Sequence, residues 1–232
     1  MNFPIRDYDR DGFVIFRRLI QREDAEAYAQ HYLDYKDKNP RALAWNSVHD
    51  TDLPQFCKSM PVRWEFKHAA SFVMGKAPNL YSFRFVVKDA QNADKPVFLH
   101  QDSAYHCGGM NKASLFVALT EVNEERGGLA FFPGTHKFGH LGDAGEIKFD
   151  KVPADCKPVI PEMMPGDAVL MSSHVWHCSG PNTTGRPRII ADIIYQPHKD
   201  TSYAGMYDDW FVRSRVSRIR ELEAEKGELF RE

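Results

Sequence analysis

From Leu80 to Tyr195 the chain breaks into short β-rich runs separated by turn residues, with no helix-length period between them. That texture excludes alternating strand and helix units with a parallel sheet and points to a sandwich or barrel. The runs are Tyr81 to Lys88, Phe98 to Asp102, Ser114 to Val122, Gly128 to Phe132, Lys157 to Ile160, Ala168 to Ser172 and Ile189 to Tyr195. Turn chemistry punctuates them at Arg126-Gly127-Gly128, Pro133-Gly134, Pro165-Gly166-Asp167 and Gly180-Pro181-Asn182. The strand number suits a jelly roll.

The segment before Leu80 reads differently. Gly12 to Phe16 is a compact apolar run, whereas Gln21 to Lys36 places Ala25, Tyr28, Ala29 and Tyr32 at helical spacing. Glu65 to Gly75 predicts a second helix, ended near Pro78, and the Arg-, Ser- and Glu-rich tail predicts a solvated helix over about 208–232. With 232 residues the chain is long enough for one substantial core and too short for two, so a single domain is expected. Its parts are a helical region (1–79), a β core (about 80–198) and the tail.

Thirty Lys and Arg against 32 Asp and Glu leave a net charge of -2, so no whole-molecule field attracts nucleic acid or an anionic membrane. The start, MNFPIRDYDR, carries no signal-like pattern and no apolar run reaches membrane-spanning length, so a cytoplasmic protein is expected. Cys57, Cys107, Cys156 and Cys178 form neither a CxxC pair nor a zinc-like spacing. Oligomeric state is not legible.

Chemistry concentrates in two places. In His100-Gln101-Asp102, at the end of a predicted strand, residues i and i+2 share a face, so an imidazole and a carboxylate converge. Alone, the triplet leaves a metal pair and a structural His–Asp couple both open. The second place is His177-Cys178-Ser179-Gly180-Pro181-Asn182, with Arg188 downstream. A distant second histidine is what a two-histidine, one-carboxylate face needs to hold Fe(II) with three positions open. Arg188 offers a planar fork for a carboxylate, and Ser179 a hydroxyl. His174, three residues before His177 and so on the opposite strand face, reads as a packing or surface histidine; His106 and His136 read as pocket-bordering or structural and stay outside the metal set, and Arg186, before Pro187, is the lesser rival of Arg188.

Together with Tyr8-Asp9-Arg10-Asp11-Gly12-Phe13-Val14, the segment from Gly127 to Lys137 and Pro165-Gly166-Asp167, these two clusters make the chain resemble the phytanoyl-CoA dioxygenase (PhyH) family of Fe(II)- and 2-oxoglutarate-dependent oxygenases. The resemblance covers most of the chain. It implies a mainly β double-stranded β-helix, or cupin-like jelly roll, with N-terminal buttressing helices and a C-terminal helix. It implies His100, Asp102 and His177 as iron ligands, Arg188 on the distal carboxylate of 2-oxoglutarate, and Ser179 assisting. Gln101 and Arg84 match positions facing the co-substrate pocket, and Arg84 could instead address an acidic substrate.

Dioxygen would be the second co-substrate, and the reaction a hydroxylation of an unactivated C–H bond in a small molecule, releasing succinate and carbon dioxide. Asp102 disfavours halogenation, which in related enzymes needs a small residue there. Cys178 departs from the glycine usual after the distal histidine, and a thiol beside iron implies sensitivity to oxidation. Gly108-Gly109-Met110-Asn111-Lys112 reads as either a lid or a surface turn, and Tyr105, Phe83, Phe85 and Trp176 as either pocket or core. Two other classes stay open: a metal cupin acting as an isomerase or hydrolase, which would not need Arg188, and a non-catalytic jelly-roll binding module.

Overall fold

A computed structural model describes residues 5–39, 47–49, 53–75, 77–142 and 145–202, with Ile5 and residues 47–49 described by backbone alone. The predicted tail helix over about 208–232 lies outside the described residues. Four helices occur among the described residues: α1 (Ile5–Asp11), α2 (Arg22–Lys38), α3 (Gln55–Lys58) and α4 (Trp64–Met74). The strands are β1 (Phe13–Phe16), β2 (Ser47–His49), β3 (Asn79–Lys88), β4 (Val97–His100), β5 (Ala113–Ala118), β6 (Leu129–Phe131), β7 (Ala168–Ser172), β8 (His177–Ser179) and β9 (Arg188–Gln196). The architecture is mixed α and β, with two antiparallel sheets, one ordered β1-β7-β5-β9-β3-β2 and the other β4-β8-β6.

The period-2 alternation of the large sheet sorts its side chains onto two faces. Phe83, Phe85 and Val87 of β3, Leu115 and Val117 of β5, and Ile189, Ala191, Ile193 and Tyr195 of β9 pack with Ala25, Tyr28, Ala29 and Tyr32 of α2 and Phe66, Ala69 and Ala70 of α4. The helical stripe read from the sequence is thus the face that covers the sheet, and Phe83 and Phe85 are core. On the opposite face Phe116, Ala118, Val169, Met171 and Ile190 meet Leu129 and Phe131 of the small sheet. Covered on both faces, β9 is buried at every position, which explains its nearly unbroken apolar run.

Two expected strands differ. Lys157 to Ile160 contributes only an isolated bridge, Val159 to Phe131. The Phe98 to Asp102 run stops at His100, and Asp102–Tyr105 turns into a 3₁₀ helix. No helix among the described residues is long and apolar enough to cross a membrane.

The Gly108 to Lys112 segment is neither an unfastened lid nor a plain surface turn. The Asp200 carboxylate accepts from Gly109 N at 2.8 Å and from Lys112 Nζ at 3.0 Å, while Ser202 Oγ donates to the Cys107 carbonyl at 3.3 Å. Lys112 is fully buried, with its ammonium 4.7 Å from the Tyr81 ring centre. Although partial burial opposes it, hydrogen bonds from Ser202 and Lys112 hold the Asp200 carboxyl well below the usual carboxylate range. Asp200→Ala is therefore expected to cost on the order of 2–3 kcal/mol at neutral pH, because it strands a buried ammonium. A depressed carboxyl contributes stability above its unfolded pKa and loses it as the pH falls towards the folded value. The gap between wild type and variant should hold at pH 7 and narrow below about pH 4 in urea melts across that range; an unchanging gap would count against the clasp.

Candidate active site

The small sheet faces the inner side of the large one, and the triad forms across it. His100, last residue of β4, and His177, first of β8, are register partners, so both imidazoles rise from adjacent strands. His100 Nδ1 donates to the Phe98 carbonyl at 2.7 Å and His177 Nδ1 to the Val175 carbonyl at 3.1 Å. A carbonyl only accepts, so both Nδ1 atoms carry the proton and both Nε2 lone pairs are free to ligate. Asp102 Oδ1 lies 3.6 Å from His100 Nε2 and 3.7 Å from His177 Nε2. Its other oxygen accepts from Ser114 Oγ at 3.0 Å, which turns Oδ1 toward the histidines. Asp102 reaches this point from the 3₁₀ turn rather than from a strand face, so the predicted convergence arises from different local geometry.

All three side chains are buried, and their donor atoms lie within 4.8 Å of one another. Burial, aided by the neighbouring His100, pushes His177 down to about 4, so it stays neutral. Burial would raise the Asp102 carboxyl, but the adjoining His177 and His100 side chains outweigh it and hold the group below the usual carboxylate range. Phe131 stacks on His177 at 6.3 Å and Phe116 flanks it at 6.2 Å, closing the apolar side of the triad. Two neutral imidazoles and one carboxylate, presented from one side, are a donor set that fits a divalent iron ion.

Beyond the triad, buried polar atoms stand without partners. Ser179 lies two residues beyond His177 on β8 and so shares its face, and its buried hydroxyl has no partner. Arg188 is 0% exposed, donates from one terminal nitrogen to the Gly127 carbonyl at 3.1 Å and leaves Nε and the other terminal nitrogen unpaired. Gly127 has φ +68°, and a Cβ there would sit 2.7 Å from the Gly180 carbonyl, so glycine permits the close approach that brings the Ser179 and Arg188 strands together. Unsatisfied buried donors are rare and costly, and a carboxylate is the kind of group that would satisfy these. Arg186 is exposed and takes no part in the pocket.

Three expectations change. Gln101 does not offer its amide to a ligand: its nitrogen donates to the carbonyls of Gly139 and His174 and its oxygen accepts from Leu141 N, stapling the turns on either side of the motif. Cys178, between two inward residues, points the other way, against Leu99, Phe132 and Trp176, so its thiol is not beside the metal site. His174 sits in the turn before β8 rather than on a strand face. Arg84 lies on the inner face, its Nε 2.7 Å from Asp192 Oδ2, close enough to Asp102 to feel its charge. Burial pushes Asp192 up to about 6 against the pull of Arg84. His106 is buried near the same group with Nδ1 unpaired, and burial pushes it down to about 4.

The family model for phytanoyl-CoA dioxygenase (PhyH) matches residues 8–190, most of the chain. The chain belongs to the phytanoyl-CoA dioxygenase family. Among curated proteins it is similar to a methylphosphonate hydroxylase from Gimesia maris, 36% identical over 99 residues covering 41% of this chain and 37% of that protein. It is also similar to the dioxygenase cnsJ of Penicillium expansum, 36% identical over 95 residues covering 40% of this chain and 26% of that one. The matched stretches span well under half the length of these relatives. Among solved structures, EctD from S. alaskensis with 2-oxoglutarate and 5-hydroxyectoine superposes with a TM-score of 0.73 at 20% identity, covering 89% of this chain and 81% of that one. The epimerase SnoN, in complex with Fe3+, alpha ketoglutarate and nogalamycin RO, gives 0.72 at 19% identity over 87% and 85%. These likenesses show that the chain shares its fold with EctD and SnoN.

Proposed function

We propose that this PhyH-family chain is a non-haem Fe(II)- and 2-oxoglutarate-dependent dioxygenase that hydroxylates an unactivated C–H bond of a small molecule. One observation carries the reading: a three-donor face of His100, Asp102 and His177 stands beside a buried cation and hydroxyl, Arg188 and Ser179, whose polar atoms lack protein partners. Iron(II) held by His100, Asp102 and His177 would, with 2-oxoglutarate and dioxygen, supply the oxidising power, with succinate and carbon dioxide as co-products. The chain's part is positional. His100 and His177 hold their tautomers through backbone carbonyls, and Asp102 is aimed by Ser114. Arg188 and Ser179 receive the distal carboxylate, and Phe116 and Phe131 keep water from one side of the triad.

Arg84 is the substrate-facing cation in this reading, because Asp192 fixes its Nε while the rest of the half-buried side chain is directed along the inner face near Asp102. A small polar substrate carrying an acidic group would pair with it; the curated methylphosphonate hydroxylase supports that class. Turnover of a neutral lipid, indifferent to Arg84→Ala, would overturn this part. We further read the two sheets as a double-stranded β-helix and the whole as one domain. Four free cysteines suit a reducing, cytoplasmic setting.

The deciding experiment is anaerobic titration of Fe(II) and then 2-oxoglutarate into metal-free protein. A weak visible charge-transfer band should appear only with both present. Iron binding without the band would leave a metal cupin of another class as the better description.

A further inference from the structure

Resting on that dioxygenase reading, we infer that the Arg84–Asp192 pair, with His106 beside it, receives the head of a small zwitterionic substrate, whose acid group meets Arg84 and His106 and whose ammonium meets the unpartnered oxygen of Asp192.

Arg84 of β3 and Asp192 of β9 are register partners, and Asp192 also lies opposite Phe116 of β5, the residue that flanks His177. The pair is joined by a single hydrogen bond, from Arg84 Nε to Asp192 Oδ2 at 2.7 Å, although Arg–carboxylate pairs are frequently two-bonded forks. Asp192 is 0% exposed, yet its Oδ1 has no partner. The hydroxyl near it, Ser114 Oγ, has one proton and gives it to Asp102 Oδ2 at 3.0 Å. The Arg84 side chain keeps 27% of its surface exposed, and no hydrogen bond runs from its terminal nitrogens to the described residues.

Asp167 shows how this chain buries a carboxylate that serves structure. It is 4% exposed, its Oδ1 accepts from Arg18 N at 2.9 Å, and its Oδ2 accepts from Arg17 at 2.8 Å and Met164 N at 3.1 Å. Both oxygens are occupied there, whereas Asp192 keeps one in reserve. His106 adds a third incomplete group. It follows the 3₁₀ turn that carries Asp102, is 5% exposed, and leaves Nδ1 unpartnered within electrostatic reach of Arg84. Its ring is held edge-on to Tyr81 at 5.1 Å, and Tyr81 is itself fixed by Cys107 N, which donates to its hydroxyl at 3.0 Å.

These groups distinguish ligand classes. A plain acid would satisfy Arg84 but strand Asp192 Oδ1 beside a second negative charge, and a plain amine would leave the Arg84 fork unused. A ligand carrying both charges completes both. Because Arg84 and Asp192 touch, the two charges must lie close together on the substrate, on one carbon or on neighbouring carbons.

The test titrates protein loaded with Co(II) and 2-oxoglutarate calorimetrically with racemic norvaline, and with pentanoate and pentylamine, each of which keeps the chain and one of the two charges. Norvaline should bind wild type at least about tenfold more tightly than either, the worth of one charge-assisted hydrogen bond. Asp192→Asn should erase its advantage over pentanoate, and Arg84→Met its advantage over pentylamine. His106→Phe, which keeps a ring against Tyr81, should weaken norvaline and pentanoate but not pentylamine. Since Asp192→Asn leaves Arg84 without its counter-charge, the double variant Arg84→Met with Asp192→Leu supplies a second check: replacing a buried ion pair by apolar side chains is often neutral for stability, and this protein should bind the three probes without preference. Norvaline binding no tighter than pentanoate in wild type, or a preference that survives in the double variant, would overturn the inference. Equal weakening of all three probes by Asp192→Asn, together with a lower melting temperature, would make the pair a strut between β3 and β9 and overturn it as well. Wild-type protein that binds no 2-oxoglutarate would instead overturn the dioxygenase reading itself.

Discussion

His177→Ala should eliminate succinate formation and weaken Co(II) or Fe(II) binding by more than a hundredfold. Loss of a partner that merely orients a ligand already costs about 10–100-fold, and His177 is itself one of the three donors grouped on this face among the described residues. The variant should still fold, because removing one of two neighbouring imidazoles relieves crowding around Asp102, while the lost stacking on Phe131 works the other way. Metal titration by calorimetry, beside circular dichroism of the metal-free protein, separates the two effects. Full turnover by the variant would remove His177 from the ligand set.

Arg188→Met should raise the dissociation constant of 2-oxoglutarate by at least about a hundredfold while leaving metal affinity near wild type, since a charged pair within a buried pocket is worth several kcal/mol once its partner is present. The side chain is 0% exposed and makes one hydrogen bond to the chain, so metal-free Arg188→Met should not be destabilised and could gain stability. Arg188→Lys should rescue poorly, because a point charge cannot reproduce a planar fork. Metal-dependent activity that survives Arg188→Met would favour the isomerase or hydrolase class.

The large elements were legible because each had a clear period: α2 and α4 in their helical stripes, β7 and β9 in their apolar runs. What the sequence concealed was short or contextual. β8, three residues from His177 to Ser179, is too brief for alternation to declare itself, and the strand status of Lys157 to Ile160 depended on a partner that only tertiary packing could supply. The His100, Asp102 and His177 cluster was readable from residue type and order. Gln101 was not, since its hydrogen bonds go to Gly139, Leu141 and His174, turns remote in sequence. The burial of Lys88 was not legible, because a lysine ending a strand ordinarily faces water. The available signal was its spacing: four residues past Arg84, it must fall on the same inward face.

One strand, β9, carries both Arg188 and Asp192, and its neighbour β3 carries Lys88 and Arg84 directly opposite them. Four residues of extended chain set the two rows about 13 Å apart. On the proposed reading the β9–β3 pair would work as a fixed ruler, with Arg188 marking the co-substrate end and Arg84 the substrate end. Because the marks are too distant to share partners, the two ends can diverge independently, and a lineage can exchange the Arg84–Asp192 row for a new substrate without recalibrating how it holds 2-oxoglutarate.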